Sequence, residues 1–501
     1  MVFRTANVED TVIDPVSPPR TRTGIDGLDL ILEGGLPRGG LYLLEGQPGS
    51  AKTTLALQYL LTGVASQEPA LLISLSETKT ELVTFAASHG WSLAGIDIMD
   101  LSDLRRIMGE QGKQSVFHAS EVELMEAIKL IRTRIADTRP KRIVIDSLSE
   151  LRHLAGDDAT YRLNMDALKP CLIEGDRTVI MVDTLSSPDN FALHTMVHGV
   201  IKLDFTVPEV GPYRRQLQIQ KIRGVKFREG LHDFELLTGG VAVYPRLVPA
   251  SKTQRQCFSQ AASGIDALDA ILSGGLDYGT STLMMGPAGS GKSTLATQFA
   301  FAAEKRGEKV AMFLFDEHLG TMLARSHGVG MDLSAALAKG SLTIQAVDPM
   351  ELTPGKFAHL VQTSVEQGAT MIVIDSLTGY MTSMGDQVHL TLQIRNLLSY
   401  LAERNVATLL ISVQHGLLGA TDAQGENISY IADNVLLLRY YEHRGDVRRA
   451  LSVFKRRAGP HERTIRDIDF SAAGIRVGPP LTQFRGVLRG EPVLDSGQDN
   501  D

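Results

Sequence analysis

A chain of 501 residues is longer than one ordinary domain of about 100–250 residues and predicts two large ones. Its 43% hydrophobic and 22% charged residues, with 47 glycines, suit a soluble α/β protein and exclude a largely disordered chain. A formal net charge of -8 gives no overall attraction to nucleic acid or to an anionic membrane, and Cys171 and Cys257, far apart and without a Cys/His cluster, exclude a disulfide framework and a zinc site.

The first residues, MVFRTANVEDTVIDP, carry acids where a signal peptide needs an apolar core, and no run of about 18 apolar residues occurs. The expected location is the cytoplasm, with no membrane segment. Residues 1–20 read as a tail. From Thr23 the chain runs TGIDGLDLILEGGLPRGGLYLLEG, and from Ser263 it runs SGIDALDAILSGGLDYGTSTLMMG. Gly, Asp and Leu recur at an offset of 240 residues, which also carries Lys52 onto Lys292, Gln58 onto Gln298 and Glu77 onto Glu317. Self-similarity of this kind is a tandem duplication. It sets a first domain over 21–247, a linker over 248–258, a second domain over 259–489 and a polar tail over 490–501.

In each half, apolar runs alternate with longer helix-like stretches. LYLLEG and STLMMG are the first strands, LALQYLL and LATQFAFAAEK the helices after them, followed by ALLISL and VAMFLF, RIVID and MIVID, TVIMV and ATLLISV. Such a pattern predicts an α/β fold, each half a mostly parallel sheet with helices on both faces.

Between first strand and first helix, the second half has GPAGSGKST, a full GxxxxGK[ST] pattern. Backbone N–H groups of Ala288, Gly289, Ser290, Gly291 and Thr294 are expected to cradle phosphates, with Lys292 on the β/γ oxygens and Ser293 on Mg²⁺. The first half has GQPGSAKTT, where Gly49, Ser50, Ala51, Lys52, Thr53 and Thr54 take those places. Ala51 replaces the glycine before the lysine; a methyl there suits a helical start but not φ > 0. Asp146 and Asp375 each end an apolar strand as Asp-Ser-Leu, the arrangement that organises Mg²⁺ and water beside the phosphates.

Together these motifs, with an acidic position after the next strand and a K-x-R element late in each half, resemble the KaiC family from about Thr21 to Arg489. The resemblance implies two tandem RecA-like P-loop NTPase domains, stacked rings of six subunits and Mg-ATP held between neighbours. It implies a general base in Asp316, also beside the metal; because that acid is one methylene shorter than the family's, a water bridging it to the target, or Glu317 in its role, stays open, and in the first half only Glu77 remains, beside Ser76. Gln414 matches a phosphate sensor and Thr184 stands in its place in the first half, so slow hydrolysis and a structural nucleotide are expected there. Lys221, Ile222 and Arg223, and Lys455, Arg456 and Arg457, match contacts to a neighbour's nucleotide, the cations two apart sharing a strand face. Ser88, Arg449 and His461 match further nucleotide contacts, whereas Val329 replaces an aromatic. Ser429 matches a phosphorylated serine, with Tyr430 where the family has threonine.

The implied function is an ATP-hydrolysing ring that phosphorylates itself on serine and acts as a timer or signalling scaffold, with itself and KaiB-like or signalling proteins as partners. Two alternatives stay open on the residues: a RecA-like or DnaB-like nucleic-acid motor or recombinase, and a nucleotide-gated binding platform with little catalysis. No basic arm or helix-turn-helix supports the motor.

Overall fold

The computed structural model describes residues 18–102, 119–184, 191–207, 213–248, 259–348, 350–383, 387–414, 430–487 and 493–494. They divide into two compact units, with the change at Arg246 and Leu247.

In the first unit the strands are β1 (Leu41–Gly46), β2 (Ala70–Ser74), β3 (Ile96–Asp100), β4 (Arg142–Asp146), β5 (Thr178–Thr184), β6 (Gly199–Thr206), β7 (Arg214–Ile222), β8 (Leu231–Leu237) and β9 (Gly240–Tyr244). They form one nine-stranded sheet in the order β3-β2-β4-β5-β1-β6-β7-β8-β9. The first six run parallel and β6 to β9 form an antiparallel meander. In the second unit, β10 (Ser281–Gly286), β11 (Lys309–Leu314), β12 (Leu342–Ala346), β13 (Ala369–Asp375), β14 (Ala407–Val413), β15 (Asn434–His443), β16 (Asp446–Arg456), β17 (Arg466–Ser471) and β18 (Gly474–Pro480) repeat the same order. The predicted mostly parallel α/β sheets are therefore present in both halves.

Alternation along each strand explains why the runs are continuously apolar. Leu41 and Leu43 enter the core on one face of the sheet, and Tyr42 and Leu44 the core on the other. Likewise Leu283 and Met285 face one core of the second unit and Met284 the other. Helices cover both faces, so a polar alternation would leave unpaired groups inside.

The repeated opening motif anchors the segment that precedes each sheet. Asp29 accepts from Thr23 N at 2.7 Å and from Thr23 Oγ1 at 2.8 Å, and Asp269 accepts from Ser263 N at 2.7 Å. Gln298 Nε2 donates to Ser263 O at 2.8 Å and Gln58 Nε2 to Gly24 O at 3.3 Å, tying that segment to the helix after the P-loop.

Those helices, Lys52–Ala65 and Lys292–Lys305, begin without a side-chain cap. The residue before each is left-handed: Gly291 has φ 98° and Ala51 has φ 74°. The helical start expected for Ala51 is thus corrected, since the loop keeps its turn and the alanine adopts the strained conformation. A Cβ on Gly291 would lie 2.3 Å from Phe470 Cζ. The matching hairpin position in the first unit is Leu236, which pairs with Val241 as Phe470 pairs with Ile475. A smaller side chain therefore stands where the ring would be.

Because left-handed backbone costs an alanine roughly 1–2 kcal/mol, Ala51→Gly is expected to stabilise the first unit by about that amount. Gly291→Ala should destabilise the second by more, through the same strain plus the Phe470 clash, and Phe470→Leu should recover part of the loss. Calorimetric unfolding of the variants measures this; equal and opposite changes at the two positions are not expected.

Candidate nucleotide sites

Both sites form at the C-terminal ends of parallel strands, where β1 and β10 turn into the P-loop helices. Lys52 Nζ donates to Gly46 O at 2.8 Å and to Gln47 O at 2.9 Å; Lys292 Nζ donates to Gly286 O at 2.9 Å and Pro287 O at 2.7 Å. Burial pushes both ammonium groups down, Lys292 to about 8, against the opposing pull of Asp375. For Lys52 the opposing carboxylates are Asp146 and Asp183. Ser50 and Ser290 are fully buried inside the loops, and their hydroxyls have no partner among the described residues.

Thr53 Oγ1 donates to Asp146 Oδ2 at 2.7 Å, and in the second unit the Ser293 hydroxyl acts on the Asp375 carboxyl in the same sense. Burial raises both carboxyls, with the hydroxyls and lysines opposing it. A hydroxyl and a carboxylate side by side are the hard oxygen donors that Mg²⁺ takes while keeping waters and phosphate oxygens. Among the described residues no three His, Cys, Asp or Glu gather into a cage, as expected for an ion held mainly by its nucleotide. The residues fit Mg²⁺: Thr53 with Asp146, and Ser293 with Asp375, would hold it.

The acids after β2 and β11 differ. Glu77 is half-buried and its Oε2 has no partner among the described residues; burial, then Asp146 and Glu81, raise its carboxyl. Thr78 behind it caps the helix Lys79–Ser88 in a capping box with Glu81, fixing where Glu77 leaves the strand. Ser76 is exposed. In the second unit Asp316 is exposed and accepts from the Ser376 hydroxyl. Glu317 is held by Arg325, from Nε at 3.2 Å and Nη2 at 2.8 Å, and Arg325 Nη1 reaches Thr294 Oγ1 at 2.9 Å. Sequence reasoning missed Arg325. At the strand ends, the Gln414 amide N donates to Gly286 O at 3.0 Å while its Oε1 is buried without a partner among the described residues. Thr184 ends the matching strand.

The K-x-R cations share one face, and that face meets their own chain. Lys221 Nζ binds His194 O and, at 2.9 Å, Val197 O; Arg223 Nη2 donates to Thr195 O at 2.7 Å. Lys455 Nζ donates to Ala432 O at 2.7 Å, and Arg457 Nη2 donates to Tyr430 O at 3.3 Å with Asp433 at 3.6 Å. Burial, then the adjacent arginine, pushes both lysines down, with Asp433 opposing in the second unit. The residues between turn the other way. Ile222 enters the core, and Arg456, 4% exposed, forms a buried pair with Asp277 at 2.9 Å and also binds Leu272 O. Their side chains face away from the cations, leaving only backbone for a ligand on that side.

Ser88 is exposed at a helix end and donates to Phe85 O at 2.7 Å. His461 is half-exposed. Arg449 lies 5.8 Å from the Tyr440 ring centre and 5.6 Å from that of Phe470, and the Tyr440 hydroxyl donates to Ala288 O of the P-loop at 3.2 Å. Its Nε is buried without a partner among the described residues. The pairing of Phe205 with Arg215 matches that of Tyr440 with Arg449. Arg215 sits 5.0 Å from the Phe205 ring, with Nε likewise unpartnered. This first-unit counterpart was also missed, although a doubled arginine six residues before the lysine marks it in both halves. Ser429 lies outside the described residues.

One family profile and three relatives bear on this geometry. The sequence profile "ATPase: KaiC" matches residues 21–248 and 261–482. A circadian clock oscillator protein KaiC of Acaryochloris marina is 27% identical over 488 residues, 95% of this chain and 92% of the relative. The KaiC of Parathermosynechococcus lividus is 26% identical over 483 residues, covering 95% and 88%. Circadian clock protein KaiC3 of Synechocystis is 25% identical over 480 residues, covering 95% and 94%. With the profile matched once in each unit, over most of the chain, and two P-loops built as described, this chain belongs to the KaiC ATPase family.

Proposed function

We propose that the chain binds Mg-ATP in both units, hydrolyses it, assembles through it into a homohexameric ring, and transfers phosphate from the second site to Ser429. The observation that carries this reading is the duplicated set: a P-loop lysine held by loop carbonyls, a hydroxyl residue after it, a strand-end aspartate and an acid after the next strand, in both units, with the hydroxyl bonded to the aspartate in the first. When bound, Mg²⁺ neutralises charge on the phosphates. The chain's own residues do the rest. Lys52 and Lys292 trade their loop carbonyls for phosphate oxygens, and the left-handed residue before each aims the helix N-terminus at them. Glu77 in the first site, and Asp316 or its neighbour Glu317 in the second, are the acids proposed to take a proton.

Assembly follows from the K-x-R elements. Lys221 with Arg223, and Lys455 with Arg457, are cations presented on one face in each unit, as a neighbour's triphosphate requires. A nucleotide shared between subunits stabilises only the assembled state, which links ATP to ring formation. Arg449, Arg215, His461 and Ser88 are proposed as further contacts, with the backbone of Ile222 and Arg456. The relatives are named as clock proteins, so a timer or signalling scaffold with KaiB-like or signalling partners is the proposed role.

For phosphoryl transfer, Ser429 immediately precedes Tyr430, which is exposed and whose carbonyl receives Arg457. A tyrosine hydroxyl extends farther from the backbone than a threonine's, so a site shaped for Thr does not align it with the γ-phosphate. One modification is expected.

Replacing Lys52 and Lys292 together with Ala should convert the ring to monomers or dimers in ATP, read by light scattering and native mass; assembly equal to wild type refutes the shared nucleotide. Incubation with Mg-ATP should add a single phosphate, mapped to Ser429 by peptide mass spectrometry, lost in Ser429→Ala and on chelation of Mg²⁺. Unmodified wild-type protein, or unchanged labelling of the variant, refutes the autokinase. DNA-stimulated turnover without labelling would favour a motor instead.

A further inference from the structure

We propose that Arg325 is a positioning residue that decides which of the second unit's adjacent acids takes the proton of the attacking water, by holding Glu317 and leaving Asp316 to act. The inference rests on the ATP-hydrolysing reading of that site.

Asp316 and Glu317 are consecutive at the end of β11 and meet different surroundings. Glu317 has both carboxylate oxygens engaged by Arg325, at 3.2 Å and 2.8 Å, in a fork geometry that fixes its direction. The third nitrogen of Arg325 binds Thr294 at 2.9 Å, and Thr294 lies two residues past Lys292 on the P-loop helix. The clamp thus joins the acid, the helix Leu319–Gly328 that carries Arg325, and the P-loop helix. To accept a proton, Glu317 would have to give up a charged, bidentate partner. Asp316 is exposed, and the Ser376 hydroxyl occupies only one of its acceptor sites.

The first unit has the complementary arrangement. The 240-residue offset puts Phe85 at the position of Arg325, and its ring packs edge-on to His89 at 5.1 Å. Ser76 occupies the position of Asp316, and Glu77 has an oxygen with no partner among the described residues. Where the first acid is lost the second is unclamped, and where the first is present the second is clamped. Each site is left with one acid able to receive a proton. In the second, water's oxygen bonds to the γ-phosphorus as the bond to the β,γ-bridging oxygen breaks. The electron pair leaves on ADP and the proton goes to an Asp316 carboxylate oxygen.

The test measures phosphate release and binding of a fluorescent ATP analogue in a Glu77→Gln background, which leaves the first site filled but without its acid. Asp316→Asn should slow release about 100-fold or more. Adding Arg325→Phe, or Arg325→Gln should the larger change disturb packing, should recover about tenfold in kcat with little change in KM. Adding Glu317→Gln should remove that recovery, which a merely structural arginine would not produce. Release in the parent without recovery in either Arg325 variant overturns the inference alone, as does loss of nucleotide binding in both. No release in the Glu77→Gln parent overturns the hydrolytic reading of this site, and the inference with it.

Discussion

Each unit is organised around one electrostatic constraint: a lysine and an aspartate held in a cleft with little water, at the end of a sheet whose strands are apolar on both faces. Asp375 is buried at the end of β13, and Lys292 is 4% exposed, yet neither is directly paired with the other in the hydrogen-bond pattern. The lysine is satisfied by loop carbonyls, and the Ser293 hydroxyl is the first group that opposes the rise of the aspartate's carboxyl. Neutral partners leave both groups short of full compensation, which is why burial moves the ammonium down and the carboxyl up. A polyphosphate with its divalent ion would supply the missing charges at both places at once. Binding is thereby favoured by relief of a cost the fold already carries.

The surrounding sheet makes that cost sustainable. Parallel strands β1, β4 and β5 end together at the first site, so the P-loop and the aspartate come from the two strands that flank β5 and not from long loops. The antiparallel meander then returns to the same sheet and delivers the K-x-R cations from β7 and β16. On those strands, alternation lets one residue serve the core while its neighbours serve the surface. Arg456 is the sharpest case, an arginine buried against Asp277 between two outward cations. Unpairing such a buried charge costs about 3–5 kcal/mol, so this residue is bound to the architecture before any ligand is considered.

Much of this was legible because the relevant signals are periodic or local. The 240-residue repeat, the strand-loop-helix placement of GSGKST and the Asp-Ser-Leu strand ends each depend on short-range chemistry, and the structure has a strand, a turn or a helix where each was read. Contacts between residues distant in sequence were not legible. Arg325 reads as an ordinary helical arginine until the fold brings it to Glu317 and Thr294. Arg215 is marked by the doubled arginine, but the register that sets it over Phe205 is what ties it to the second unit's Arg449. Ala51 shows the opposite failure: local propensity argued for a helical start, and the turn demanded by the loop outweighed it.

Duplication sharpens this reading, because each half serves as a control for the other. The same backbone carries Ala51 with Leu236 in one unit and Gly291 with Phe470 in the other, so the crowding of a ring against the loop excludes a methyl only where the ring is present. It carries Phe85 with Ser76 in one and Arg325 with Asp316 in the other. Both sets of changes lie in the shell around the phosphates, whereas the lysines and the strand-end aspartates are the same. These changes leave the P-loop lysines and the strand-end aspartates common to both units and alter the side chains beside them. Two copies of one α/β unit thereby keep the same sheet order while the acids and side chains beside their P-loops differ.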